Sequence, residues 1–139
     1  MAEEKEMTQE SMEANDQGAI YEALAKIPGA PTKEVIDEWK KAYGNVYVMP
    51  LDVNEIYVWK TLRRKEHIEI ETAAAQAQAE GKQFDRDAEV VKKCVIWPKF
   101  TDESILEGKA GTIPTLLESI YAASHFIPTQ LALRMVVAM

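Results

Sequence analysis

Val46-Tyr47-Val48-Met49 and Ile56-Tyr57-Val58-Trp59 are two runs of β-branched and aromatic residues separated by Pro50-Leu51-Asp52-Val53-Asn54-Glu55. Such runs favour a pleated backbone, and Asp and Asn in a short connection favour a turn through their own side-chain hydrogen bonds. The stretch therefore predicts a β-hairpin. Strand alternation puts Tyr57 and Trp59 on one hairpin face and Ile56 and Val58 on the other. Both faces are apolar, and two strands alone are marginal in water, so the hairpin needs cover on both sides.

Upstream, Thr32 is a candidate N-cap for a helix over residues 33–43, with Val35, Ile36, Trp39 and Tyr43 at helical spacing and Gly44 as its stop. Ile27-Pro28-Gly29-Ala30-Pro31 separates it from a short helical anchor over Ala19–Ala25. Downstream, Leu62–Ala79 is rich in helix formers and is closed by Gly81. Asp85 or Asp87 opens another helix, with Ala88, Val91, Cys94 and Val95 in one stripe, read through Trp97 and ended by Pro98. Lys99–Gly111 reads as a loop. Two helical segments follow, Ile113–His125 and Pro128–Met139, each with a proline near its start. The predicted class is α+β, predominantly helical, with one hairpin between an N-terminal helix and a C-terminal helical group.

The 139 residues suit one small domain, 47% hydrophobic and 28% charged. The net charge is −7, and residues 1–16 hold six acids against one lysine, leaving only −2 for the rest. Residues 1–18 lack the apolar side chains to offset ordering entropy and predict a disordered acidic tail, with residues 19–139 as a single α+β domain. A nearly balanced body argues against a nucleic-acid partner, which needs a net basic surface. Lys60, Arg63, Arg64 and Lys65 form the one compact basic patch. The single cysteine excludes an internal disulfide and suits a reducing compartment. The acidic N-terminus is unlike a secretory leader. Ile113–Met139, broken by Pro128 and carrying Glu118 and Arg134, is not a membrane span.

The ligand-forming residues His67, Cys94 and His125 stand nearly thirty positions apart, so neither a metal nor a cofactor site is expected. No nucleophile elbow, phosphate loop, dinucleotide turn or zincin helix is present. Glu69/Glu71 and Asp85/Asp87, two apart, fall on different helix faces and predict solvated acids. Cys94 lies between Val90-Val91 and Val95-Ile96-Trp97, the surroundings of a core cysteine. The alternative is a small cytosolic enzyme with Cys94 as nucleophile, assisted by His67 or His125. The preferred reading is non-enzymatic. Trp39 and Trp97 are expected in the core. Tyr57 and Trp59, with Arg63 and Arg64 beside them, either meet a partner, because tryptophan and arginine concentrate at binding hot spots, or form an internal core face with solvated arginines; the partner contact is the expectation carried forward. Leu131, Met135 and Met139 form a second expected contact, on a segment apolar nearly all round except for Arg134.

Four stretches, Glu34–Tyr47 (EVIDEWKKAYGNVY), Glu55–His67 (EIYVWKTLRRKEH), Val90–Pro98 (VVKKCVIWP) and Ala110–Phe126 (AGTIPTLLESIYAASHF), follow one another in an order that resembles small virion or tail-assembly proteins of long-tailed bacteriophages, including those labelled tail assembly chaperones. The resemblance spans residues 28–130. It departs from the pattern at Lys60, where an arginine is expected, and at His125, where a glycine is expected. It implies no catalytic residue. It implies partners among other phage structural or tail proteins and a place in the host cytoplasm during assembly or in the virion tail, while the apolar C-terminal segment is what predicts self-association. The composition of residues 1–18 predicts that limited proteolysis trims them first. Slow amide exchange there, with fast exchange confined elsewhere, is the contrary outcome.

Overall fold

The computed structural model describes residues 9–139. In chain order these form helix α1 (Gln9–Ala25), helix α2 (Lys33–Tyr43), strands β1 (Val46–Asp52) and β2 (Glu55–Lys60), helix α3 (Arg64–Ala79), helix α4 (Arg86–Cys94) and strand β3 (Val95–Trp97). Helices α5 (Asp102–Glu107), α6 (Thr112–Ala123) and α7 (Thr129–Met135) complete the chain. The class is α+β and mostly helical.

The sheet is antiparallel, in the order β1-β2-β3. Tyr47 pairs with Trp59 and Met49 with Tyr57, which puts these four on one face. Their rings and chains meet Leu62, Ile70 of α3, Val91 and Cys94 of α4, and Leu116 and Ile120 of α6. The other face carries Ile56, Val46 and Val48 against Leu24 of α1 and Ile36 and Trp39 of α2. Helices thus cover the sheet twice, and β2, whose residues 56–59 are all buried, lies between two cores.

Local chemistry sets the ends of the elements. Thr32 Oγ1 accepts from the Val35 N–H at 3.4 Å, and Asp85 Oδ1 from the Ala88 N–H at 3.1 Å. Asp52 Oδ1 accepts from the Val53 N–H at 2.7 Å and tightens a turn shorter than the six-residue connection the sequence suggests. Helix α3 ends in a left-handed residue, Gly81 at φ 69°, the conformation glycine adopts without a Cβ clash.

Four sequence expectations change. The helix predicted through Trp97 stops at Cys94, and Val95–Trp97 becomes β3. A short β-branched run carries no periodicity that separates strand from helix, and the free edge of β2 decides it. Val58 pairs with Trp97 and Trp59 with Val95, leaving Ile96 as an extra residue. That bulge sends Val95 to one core and Trp97 to the other. The predicted loop over Lys99–Gly111 contains α5, opened by a reciprocal cap. There Ser104 N–H donates to Thr101 Oγ1 at 3.1 Å, and Thr101 N–H to Ser104 Oγ at 2.8 Å. The helix predicted to Met139 ends at Met135, and Val136 is already extended. The fourth concerns the acidic N-terminus. Residues 1–8 of the predicted tail lie outside the described residues, whereas from Gln9 the backbone is helical and continuous with the anchor predicted at Ala19.

Helix α6 closes against α3 through an unusual residue. The Phe126 N–H donates to Tyr121 O at 3.0 Å and the His125 N–H to Ala122 O at 3.2 Å, the paired bonds of a Schellman turn. His125 therefore sits at φ 66°, where the resembling pattern has glycine. The Tyr121 and Phe126 rings meet edge to face at 5.1 Å, and Ser124 Oγ accepts from the Leu62 N–H at 2.8 Å. His125→Gly should keep or raise the melting temperature, and His125→Val should cost about 1 kcal/mol, since a β-branched residue tolerates this region poorly. Thermal denaturation of the two variants checks the order.

Candidate functional site

Chemistry-bearing groups come first. Cys94 is fully buried on α4, and burial pushes its thiol up to about 12, with Lys60 and Lys93 only partly opposing and Glu66 adding to the rise. Such a thiol stays protonated at neutral pH. Among the described residues no three His, Cys, Asp or Glu side chains gather as a metal site. Tyr57 is likewise held protonated, first by burial and then by its 2.9 Å hydrogen bond to Glu55 Oε1. Thr112 Oγ1 donates to the same oxygen at 3.1 Å and ties the start of α6 to the hairpin.

Tyr57 and Trp59, expected at a partner surface, are core residues at 8% and 4% exposure. Trp59 stacks on Tyr47 at 4.6 Å and Tyr57 on Phe100 at 5.3 Å. The reason is the second layer of helices, α3, α4 and α6, which supplies the cover that both hairpin faces require. The Trp59 Nε1–H finds no acceptor among the described residues. Its desolvation costs about 1–3 kcal/mol. Burying a side chain of this size returns about 4–6 kcal/mol, so the ring stays inside.

The basic patch divides. Lys60 is buried, and its Nζ donates to both carboxylate oxygens of Glu66 at 2.9 Å and lies 5.7 Å from the centre of the Tyr43 ring. Glu66 Oε1 also accepts from the Arg63 N–H at 3.0 Å, which caps the first turn of α3. Burial alone would raise the Glu66 carboxyl, but the Lys60 and Arg63 hydrogen bonds and charges outweigh it and hold the group below its ordinary range. The sequence carried a usable signal for this pair. A lysine directly after four buried strand residues cannot easily reach solvent, and an acid one helical turn into the next element can meet it. Arg63 and Arg64 remain exposed, with no ion-pair partner among the described residues.

Leu131, Met135 and Met139 lie where the second contact was expected. Leu131 is 48% and Met135 60% exposed, Met139 is fully so, and no residue of α7 is buried. Eight of the twelve exposed large apolar side chains among the described residues fall between Phe126 and Met139. That is a concentrated apolar arm rather than the usual scatter. A separate apolar cavity of about 250 Å³ runs between α1, α2 and β1, lined by Ile20, Tyr21, Ile36 and Val48. No helix among the described residues is long and apolar enough to cross a membrane. Comparison with protein-family models, with curated proteins and with solved structures finds no match.

The Glu66 carboxyl titrates lower in the folded chain than in the unfolded one. The pair's stabilisation is therefore complete above the unfolded carboxylate value of ~4.3 and is lost as the pH falls through the lower folded value. Glu66→Gln should cost about 3 kcal/mol at neutral pH by stranding Lys60. The loss relative to wild type should shrink on acidification, as read by denaturant unfolding at several pH values.

Proposed function

We propose that this chain is a non-enzymatic component of tailed-bacteriophage virion or tail assembly that works through protein–protein contact. The observation that carries the contact is the exposed apolar arm, Phe126–Met139. Burying a Leu, Val or Met side chain is worth about 1.5–3 kcal/mol, so six such residues offer on the order of 10 kcal/mol or more. Association costs ~4–15 kcal/mol, which a contact of this size can meet when it is shared with a complementary surface. Leu131, Met135 and Met139 anchor it, and methionine adapts to more than one surface shape. The order of motifs from residue 28 to residue 130 supports the phage assignment.

The protonated, buried Cys94 favours this reading over a thiol enzyme. Within it, a virion structural protein stays at a fixed position in the particle, whereas a tail assembly chaperone shields its client and leaves. Stoichiometric recovery of the chain from purified particles selects the first. Recovery only from lysates, bound to a tail protein, selects the second. Absence from both refutes the assignment.

Deleting residues 129–139 tests the contact itself. Because no residue of α7 is buried, the truncated protein should melt within a few degrees of full length. Light scattering should show self-association or partner capture by the full-length chain alone. A full-length chain that neither self-associates nor captures a partner, together with a truncated chain that unfolds, would return the arm to the core.

A further inference from the structure

Both histidines and two arginines of this acidic chain line one cavity. It has a volume of about 290 Å³ and lies where α3 begins and α6 ends. Arg63 and Arg64 come from the start of α3, His67 from its first turn, and His125 from the Schellman turn. Phe126 forms an apolar wall, packed edge to face on His67 at 5.2 Å. No acid lines the cavity, although acids outnumber bases in the chain 23 to 16. Arg63 and Arg64 make no ion pair among the described residues, as is also true of Lys26, Lys33, Lys41, Lys65, Lys99 and Arg134, and the Arg63 charge acts on the nearby Glu66. The Ser124 hydroxyl accepts from Leu62, and its own proton has no acceptor among the described residues. His125 occupies its place at a backbone angle that favours glycine.

We propose that this cavity binds a carboxylate of an acidic, partly apolar peptide segment on a partner protein. Two guanidinium groups present planar N–H pairs that match a carboxylate in the bidentate manner. The volume lies just below the ~300–1,000 Å³ of small-molecule pockets and suits a single side chain. A net charge of −7 repels a polyanion such as nucleic acid, but does not keep out a lone carboxylate within an apolar sequence. Phe126 lines the cavity and the exposed Ile127 follows it in the chain, so an apolar flank on the peptide has a surface to follow. The cavity is lined by no residue of α7 and shares only Phe126 with the arm.

The full-length protein, titrated with a fluorescein-labelled peptide alternating Glu and Leu, tests it by anisotropy and by amide shifts in two-dimensional NMR. Saturable binding should move the amides of Arg63, Arg64, His67 and His125. The double variant Arg63→Gln/Arg64→Gln, altered at two exposed side chains, should weaken binding by about tenfold or more. Deletion of residues 129–139 should leave it in place even if the arm's contact fails. Three results would overturn the proposal: equal binding of a Gln-Leu peptide, unsaturable shifts spread over the surface lysines, or inorganic phosphate moving these amides while the Glu-Leu peptide does not.

Discussion

A strand pair that is apolar on both faces needs cover on both, and the rest of this molecule follows from meeting that need. In β2, Ile56, Tyr57, Val58 and Trp59 are consecutive and all buried. Such a run is characteristic of a strand enclosed between layers, whereas a strand on a half-solvated sheet alternates apolar with polar. Helices α1 and α2 close one side and α3, α4 and α6 the other. The short β3 covers the remaining edge of β2, and its bulge lets Val95 and Trp97 serve different cores. Two modest clusters that share a strand give a chain of this size the interior that neither cluster could supply alone.

The same constraint reaches into the electrostatics. Lys60 ends the buried strand, so the hairpin that buries Trp59 also draws an ammonium group out of water. Glu66 answers it from the first turn of α3 and accepts the Arg63 N–H with the same carboxylate. A charge forced inside by β-sheet burial thereby sets where the next helix starts. Two residues on, the Leu62 N–H reaches Ser124, and the Schellman turn carries the end of α6 onto the start of α3. The corner that gathers Arg63, Arg64, His67 and His125 is held by these bonds.

Much of the fold was legible because the signals were local. Helix α2 was readable to the residue from Thr32 and Gly44, and the hairpin from its β-branched runs and Asp-Asn turn. What escaped depended on distant partners. Val95-Ile96-Trp97 reads as the end of a helix until an unpaired strand edge is known to lie beside it. Thr101-Asp102-Glu103-Ser104 is too short for a periodic pattern, and only its reciprocal cap reveals α5. The candidate site divides the same way. The exposed arm could be read from composition, whereas the fates of Tyr57, Trp59 and Lys60 turned on whether a second helical layer existed. The cavity at Arg63 and His125 joins residues more than sixty positions apart, and no spacing rule reports that distance.

Apolar side chains in this molecule thus meet two fates, and hydrophobicity does not distinguish them. Trp59 stays inside despite an indole N–H without an acceptor, because a ring of its size gains more from burial than the lost hydrogen bond costs. Leu131, Leu133, Met135 and Val137 are no more polar, yet they remain outside. The difference is what lies opposite. Trp59 lies in one core with residues of α3, α4 and α6, which supply its cover. The arm follows a Schellman turn and Pro128, and both faces of the sheet are covered by other helices. The two cores are filled by residues up to Ala123, and the exposed apolar side chains gather in Phe126–Met139. Neither core includes a residue of α7, so the burial energy of these side chains is not used within the described residues.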